Sequence, residues 1–266
     1  MRIERMVLNE IFENVFLTSY LQHQPEKQAA VIICAGGGYL SHNEDEAEYV
    51  ALQFLANGYQ AFILNYSVGA PYASFPQPII ELASAVSIVR DNALRFQLNP
   101  NRIFVCGLST GGHLASLLGS LWNSDLLNLK AIMQPLNAKP DAIILGYPIL
   151  DLDLFKIDLL NKDTKYAPFL EMMFTAILRH PAPDPDALKK WNSTFAICED
   201  TVPTFIWNYA SDEWVNKNQA NEYAKRMALY HIPHAYITFD TGKHSEIKLD
   251  KTKIWLTKAI EWLDTL

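Results

Sequence analysis

Short apolar runs, rich in β-branched residues, alternate along this chain with longer stretches in which apolar residues recur every three or four positions. Six such runs lie at residues 30–35, 61–66, 102–107, 141–147, 204–209 and 235–239. Most are apolar nearly throughout, which is typical of strands buried on both faces of a sheet. Helices are predicted between them, at residues 44–57, 78–97, 111–122, 216–230 and 252–263. The alternation predicts an α/β fold, with a mostly parallel central sheet and helices on both of its faces.

Length and composition exclude several classes of protein. A chain of 266 residues that is 50% hydrophobic and 19% charged is not disordered, and its length fits one α/β domain over residues 1–266. The formal net charge is −7 and no basic cluster is present, so nucleic-acid binding is not expected. No apolar run approaches the length of about 18 residues that a membrane span needs.

The N-terminal residues and the cysteines predict a cytoplasmic location. Charged residues interrupt the hydrophobic residues of the segment 1–16, so that no signal peptide is expected there. Cys34, Cys106 and Cys198 are odd in number and far apart. They do not suit a disulfide framework and fit a reducing compartment.

Two segments depart from the alternation. Residues 12–20 alternate more strictly and predict an edge strand or a hairpin. Residues 150–202 contain no convincing strand, and three prolines cluster near their middle. A helical face in this segment is formed by Phe169, Met172, Met173, Ala176 and Ile177. Two interpretations stay open: a helix packed on its own domain, or a small cap that roofs a pocket beyond the carboxyl ends of the strands.

The sequence Gly107-Leu108-Ser109-Thr110-Gly111 has the form G-x-S-x-G and joins the run 102–107 to a predicted helix. That position, between a strand and a helix, is where a nucleophile elbow lies. The turn is too tight for side chains two residues on either side of the serine, and the two glycines leave the space. The motif therefore predicts that Ser109 is a nucleophile, an ordinary glycine-rich turn being the alternative.

A serine hydroxyl is a poor nucleophile until a base takes its proton. His244 follows the last predicted strand, which is where the base lies when the order of the residues is serine, acid, histidine. His231 and His234 precede that strand, and His113 lies inside the helix after Ser109. His244 is therefore the predicted base, and His113 is interpreted as packing behind the elbow.

A carboxylate is needed to fix the tautomer of that histidine. Asp212 is the first acid after the predicted strand 204–209 and is the expected third member, with Glu213 as the alternative. Backbone N–H groups are also needed to stabilise an oxyanion. One is expected from Thr110, and another from the glycine turn at residues 35–39, where the backbone can approach a ligand closely.

No cofactor or metal is expected. A dinucleotide loop would need glycine at position 41, where Ser41 stands, and the loop before His244 lacks the pattern of a P-loop. His231 and His234 resemble an H-x-x-H metal motif, but Pro233 lies between them and no third ligand is near in the sequence.

Taken together, these motifs resemble the α/β-hydrolase esterases related to the acetyl-xylan-esterase and feruloyl-esterase-like group, near the hormone-sensitive-lipase type. The resemblance covers about residues 28–264 and rests on residues 32–39, 46–48, 62–67, 105–115 and 203–207, the last leading to Asp212. It implies the α/β-hydrolase fold and an oxyanion hole lined by Gly37, Gly38 and Thr110. The chain departs from the family where Ala35 replaces a histidine, and where residues 214–216 replace a common Val-Pro.

The resulting prediction is a serine carboxylesterase that hydrolyses small, short-chain acyl esters (acetyl to butyryl), with sugar deacetylation as a candidate activity. Residues 150–202 would form a small helical cap, and the acyl pocket would be lined by Tyr39, Phe169, Met172 and Met173. The partner is a small-molecule ester, and the family suggests a homodimer. The alternatives are a serine peptidase or amidase of the same fold and a non-catalytic α/β-hydrolase that acts by binding.

Overall fold

The computed structural model describes residues 1–8, 14–23, 26, 28–128, 137–247 and 253–266. Within these ranges the strands are β1 (Arg2–Val7), β2 (Phe16–Leu21), β3 (Gln28–Cys34), β4 (Gln60–Asn65), β5 (Leu98–Leu108), β6 (Ala142–Gly146), β7 (Thr204–Tyr209) and β8 (His234–Phe239). The helices are α1 (Glu44–Ala56), α2 (Gln77–Asp91), α3 (Ala93–Phe96), α4 (Thr110–Leu121), α5 (Asp125–Asn128), α6 (Leu152–Lys162), α7 (Ala167–Leu178), α8 (Pro185–Lys190), α9 (Ser193–Ala196), α10 (Asn218–Leu229) and α11 (Lys253–Leu263), and a short 3-10 helix lies at Thr164–Tyr166.

These strands form one sheet in the order β1-β2-β4-β3-β5-β6-β7-β8. The pairs β1–β2 and β2–β4 are antiparallel, and each neighbouring pair from β4 to β8 is parallel. The six predicted apolar runs form β3 to β8, and the run 204–209 has the same bounds as β7. The predicted α/β fold with a mostly parallel sheet is therefore confirmed.

The N-terminal hairpin supplies the antiparallel edge of the sheet. The predicted segment 12–20 corresponds to β2, although residues 12 and 13 lie outside the described residues. Because β2 pairs with β1 on one side and with β4 on the other, β1 is the edge strand at this end of the sheet, and β2 is part of a hairpin rather than an edge strand. The sequence does not predict β1, since Arg2, Glu4 and Arg5 interrupt its apolar residues.

Successive residues of the central strands pack on opposite faces of the sheet. Ile32 of β3 and Val105 of β5 belong to a core formed with α2, α4 and α10. The next residue of each strand, Ile33 and Cys106, belongs to a second core formed with α1 and α11. Because side chains alternate along a strand, strands that are apolar throughout need helices on both faces, and this sheet has them.

The predicted helix 78–97 is two helices in the structure. α2 ends at Asp91, and both the backbone N–H and the side-chain amide of Asn92 donate to the carbonyl of Ile88. This local hydrogen bonding competes with continuation of the helix, and α3 begins at the next residue. No helix in the described part of the chain is both long and apolar enough to cross a membrane.

The segment between β6 and β7 is helical and contains α6 to α9. The buried face of α7 is formed by Leu170, Met173, Phe174, Ala176 and Ile177. Met172, predicted to share the apolar face, is 55% exposed instead. α7 is apolar at most of its positions, so the periodicity of its sequence does not define which side packs inward.

Candidate active site

β5 leads directly into a sharp turn at Ser109, and α4 begins at the following residue. Ser109 has a φ of +54°, in the left-handed region, and is 8% exposed. A Cβ added to Gly107 would lie 2.2 Å from the carbonyl oxygen of Gly111. One added to Gly111 would lie 2.1 Å from the carbonyl oxygen of Cys34. The turn requires glycine at both positions, which is the geometry expected of a nucleophile elbow.

Two hydrogen bonds connect three side chains that follow three different strands. The Nε2 of His244 lies 2.9 Å from the Oγ of Ser109, and its Nδ1 lies 2.8 Å from the Oδ2 of Asp212. An ionised carboxylate only accepts hydrogen bonds, so Nδ1 is the donor and Nε2 is left to accept the proton of Ser109. The structure thus brings the three predicted residues together in the arrangement of a Ser-His-Asp triad.

Asp212, and not Glu213, is the acid that faces the histidine. The Oδ1 of Asp212 accepts hydrogen bonds from the backbone N–H groups of Trp214 (2.8 Å) and Val215 (3.0 Å). These bonds fix the carboxylate so that its other oxygen points at His244, and the residue is 8% exposed. Glu213, the alternative from the sequence, is exposed.

The glycine turn after β3 lies directly beside Ser109. A Cβ added to Gly36 would lie 2.9 Å from the Cβ of Ser109. The N–H of Thr110 is in the first turn of α4, where backbone N–H groups have no partner within the helix. The N–H of Gly37 donates to none of the described residues, whereas that of Gly38 donates to the Oγ1 of Thr110 at 3.1 Å. The predicted oxyanion residues therefore lie together, with Gly38 already hydrogen-bonded.

The four residues predicted to line the acyl pocket do not lie together. Phe169 does reach the site: a Cβ on Gly38 would meet its ring at 2.8 Å. Met172 points outward, and Met173 is fully buried in the core. Tyr39 is also fully buried, because its side chain turns away into the protein. The prediction is therefore corrected for Met173 and Tyr39, because a fully buried side chain does not line an open site, and Met172 is exposed on the surface of α7.

The sequence motifs do not predict a cluster of aromatic rings that lies beside His244. Trp214 lies 5.5 Å from Phe169, 5.2 Å from Tyr166 and 6.4 Å from His244, measured between ring centroids. All three aromatic residues are partly exposed. The cluster joins α7 to the loop that carries Asp212. Its signal in the sequence was Trp214 itself, which stands in the segment that departs from the family pattern.

His113 is buried and hydrogen-bonded in the protein core, in agreement with the packing role that its position in the helix predicts. It is fully buried, its Nδ1 lies 2.9 Å from the hydroxyl of Tyr39, and its Nε2 lies 2.7 Å from the carbonyl oxygen of Trp191. Burial lowers the pKa of His113 from 6.5 to about 4. A neutral ring with Nε2 donating to the carbonyl satisfies both contacts, so His113 links the elbow helix, the glycine turn and the segment after α8.

The described residues include no group of three His, Cys, Asp or Glu side chains that could hold a metal ion. Cys34 and Cys106 lie on the central strands β3 and β5, and burial raises the pKa of both thiols. Because the thiolate is the reactive form, these cysteines behave as small core residues.

Comparison with known proteins assigns this chain to a family. The BD-FAE family model matches residues 17–227. The chain is 24% identical over 231 residues to endo-1,4-beta-xylanase B of Butyrivibrio fibrisolvens, a match that covers 86% of the chain and 34% of the relative. It is 29% identical over 138 residues to the acetylxylan esterase of Xylanibacter ruminicola, covering 52% of the chain and 26% of the relative. The chain thus spans about a third or less of the length of these curated relatives.

The fold is shared with a solved hydrolase over nearly the whole chain. The acetyl ester-xyloside bifunctional hydrolase of Caldicellulosiruptor lactoaceticus superimposes with a TM-score of 0.81 and 26% sequence identity, over 98% of this chain and 96% of that one. The resemblance seen in the sequence motifs is thereby confirmed. The chain belongs to the BD-FAE family and has the α/β-hydrolase fold.

Proposed function

We propose that this protein is a serine carboxylesterase that hydrolyses small, short-chain acyl esters through an acyl-enzyme. The observation that carries the proposal is the hydrogen-bonded chain from Ser109 through His244 to Asp212, formed at a nucleophile elbow. Family membership supports an ester substrate, since the relatives include an acetylxylan esterase.

In the acylation step the Oγ of Ser109 attacks the carbonyl carbon of the ester. Its proton passes to the Nε2 of His244, 2.9 Å away, and Asp212 stabilises the imidazolium that forms. The carbonyl oxygen becomes an oxyanion, and the N–H groups of Gly37 and Thr110 are the donors that would bind it. When the intermediate collapses, the alcohol leaves with the proton from Nε2.

Deacylation repeats these steps with water as the nucleophile. Water gives a proton to Nε2 and attacks the acyl carbon, and Ser109 leaves as the alcohol and recovers its proton from His244. The N–H of Gly38 would join the oxyanion donors if the hydroxyl of Thr110 turned away from it.

The acyl group is proposed to be small. The ring of Phe169 lies against Gly38, so that little space is left beside the oxyanion donors. We propose that residues 1–266 form a single α/β-hydrolase domain, with residues 150–202 as a cap whose α7 provides this ring.

The alcohol half of the ester is proposed to be a sugar, because one structural relative is an acetyl ester-xyloside hydrolase. Cytoplasmic location and homodimer formation stay predictions.

The test is hydrolysis of p-nitrophenyl esters of increasing chain length, beside acetylated xylo-oligosaccharides and a matched ester–amide pair. We expect turnover of acetyl and butyryl esters, release of acetate from the sugar and little cleavage of the amide. Faster cleavage of the amide would favour a peptidase or amidase. Failure of a fluorophosphonate to label the protein would contradict catalysis through an activated serine and favour a binding role.

A further inference from the structure

Glu46 is a buried acid that the proposed mechanism does not use. It lies in the first turn of α1 and is only 2% exposed. A carboxylate taken out of water is destabilised unless it is compensated by hydrogen bonds or by positive charge. The surroundings of Glu46 therefore need to supply that compensation.

Its partners come from three loops that meet at the candidate active site. The hydroxyl of Tyr147, just after β6, donates to the Oε1 of Glu46 at 2.5 Å. The side chain of Ser245, next to His244, and the backbone N–H of Gly36, beside Ser109, lie near the carboxylate, although its Oε2 accepts no hydrogen bond from the described residues. Glu46 is thus at the junction of the glycine turn, the end of β6 and the histidine loop.

The same contacts lead directly to the catalytic imidazole. The ring of Tyr147 lies 4.9 Å from that of His244, at an angle of 68°. Tyr147 and Ser245 both have left-handed backbone conformations, with φ values of +36° and +62°. Such conformations persist only where the surrounding structure holds them, and Glu46 is hydrogen-bonded to Tyr147 and lies near Ser245.

Tyr147 is the donor in its hydrogen bond with Glu46. Burial raises the pKa of Tyr147 well above 10, so its hydroxyl stays protonated and acts as the donor. A distance of 2.5 Å is typical of an O–H donor to an ionised carboxylate. Burial raises the pKa of Glu46 above its ordinary value, and the Tyr147 hydroxyl and the charge of a protonated His244 offset only part of that rise.

We propose that Glu46 is a positioning residue for His244: it holds Tyr147 in place against the imidazole ring and stabilises the imidazolium as a second, buried carboxylate in addition to Asp212. This inference rests on the proposed function, in which His244 is the base. The other titratable groups near Glu46 are Tyr66 and Cys106, and burial keeps both neutral by raising their pKa. Around His244 itself lie Ser109, Asp212 and Tyr147, the ring of Trp214 at 6.4 Å, and the carboxylate of Glu46.

The experiment compares Glu46→Gln with Glu48→Gln, which removes the same charge from an exposed position of the same helix. NMR titration of the histidine ring resonances, assigned with a His244→Asn variant, measures protonation of His244 directly. We expect the titration of His244 in Glu46→Gln to move by about one unit to lower pH, because an anion that favours the imidazolium is gone. Glu48→Gln should titrate like the unmodified protein.

Kinetics with p-nitrophenyl acetate give the second readout. We expect kcat of Glu46→Gln to fall about tenfold, the equivalent of one pKa unit of lost interaction, with the acid limb of the pH profile displaced in the same direction. KM should change little, since Glu46 is buried and is not among the residues proposed to contact the substrate. Tyr147→Phe, which keeps the ring and removes the donor, should show a smaller change of the same sign and provides the test if Glu46→Gln does not fold.

Two results would overturn the proposal. One is an unchanged His244 titration in Glu46→Gln with only a lower melting temperature, which would mean a purely structural role. The other is an equal displacement in Glu48→Gln, which would mean a general charge effect. If the unmodified protein hydrolyses no ester, the proposed function fails, whereas the NMR titration still decides whether Glu46 acts on His244.

Discussion

The Oγ of Ser109 and the Nε2 of His244 lie 2.9 Å apart, although 135 residues separate them along the chain. The parallel strands β5 and β8 make this possible, because their carboxyl ends reach the same edge of the sheet. The hydroxyl therefore meets its base without any rearrangement of the backbone. Such a preformed contact is the condition for activating a serine at neutral pH.

Replacing Ser109 should remove activity without loss of the fold. In Ser109→Ala we expect kcat to fall by about 10⁴-fold or more, because the nucleophile is gone. Mass spectrometry after fluorophosphonate treatment should find the adduct on the peptide with Ser109 in the unmodified protein and no adduct in the variant. Ser84→Ala, a change in α2, is the control and should label normally. An adduct on another serine would contradict the assignment.

The choice between the two neighbouring acids is directly testable. Asp212→Asn should lower kcat by about 10⁴-fold, because an amide favours the wrong tautomer of His244. Glu213→Gln, a substitution at an exposed position, should change the free energy of unfolding by less than about 0.5 kcal/mol and should keep its activity. Steady-state kinetics and thermal denaturation of both variants check this. Greater damage from Glu213→Gln would reverse the assignment.

The sheet and the triad could be predicted because each depends on local patterns joined by one topological rule. Runs such as 204–209 are apolar throughout, and this pattern has few structural solutions other than a buried strand. Once the strands are known to be parallel, the residues that follow them must gather at one edge. Asp212 and His244 could thus be chosen by position alone.

The pocket could not be predicted in the same way. The side that α7 buries depends on what packs against it, and Met172 and Met173 differ by one position but are 55% and 0% exposed. Tyr39 follows the glycine turn, yet its side chain is directed inward by the hydrogen bond to His113. The sequence does not distinguish Glu46 from an ordinary acid in a first helical turn, because its hydrogen-bond partner Tyr147 lies 101 residues away.

The buried His113 predicts how stability depends on pH. Its pKa falls from 6.5 to about 4 on burial, so above pH 6.5 it is neutral in both the folded and the unfolded states. Between pH 6.5 and 4 the unfolded chain binds a proton that the folded protein excludes, and the free energy of unfolding decreases. The decrease attributable to His113 is about 3 kcal/mol at most and levels off below pH 4.

Urea denaturation at pH 7.5 and at pH 5 measures this dependence. His113→Gln should be less stable than the unmodified protein at pH 7.5, because its contacts with Tyr39 and Trp191 are altered. It should, however, lose less stability on acidification. His180→Gln, at an exposed position, should keep the full dependence. An unaltered slope in His113→Gln would show that other groups cause the acid sensitivity.

Phe169 should set the upper limit on acyl length. Its ring lies against Gly38, at the oxyanion donors, so a long acyl chain would meet an overpacking penalty of about 1–3 kcal/mol. A methylene that fits contributes about 0.8 kcal/mol of burial. We therefore expect kcat/KM to hold or rise over the shortest p-nitrophenyl esters and to fall steeply beyond about six carbons. Phe169→Ala should shift this fall to longer chains, whereas Met172→Ala, on the exposed side of the same helix, should leave the profile unchanged.

Two outcomes would contradict this prediction. If the unmodified protein hydrolysed a ten-carbon ester faster than an acetate ester, the small acyl pocket would be ruled out. If Phe169→Ala had the same chain-length profile as the unmodified protein, another residue would limit the chain length.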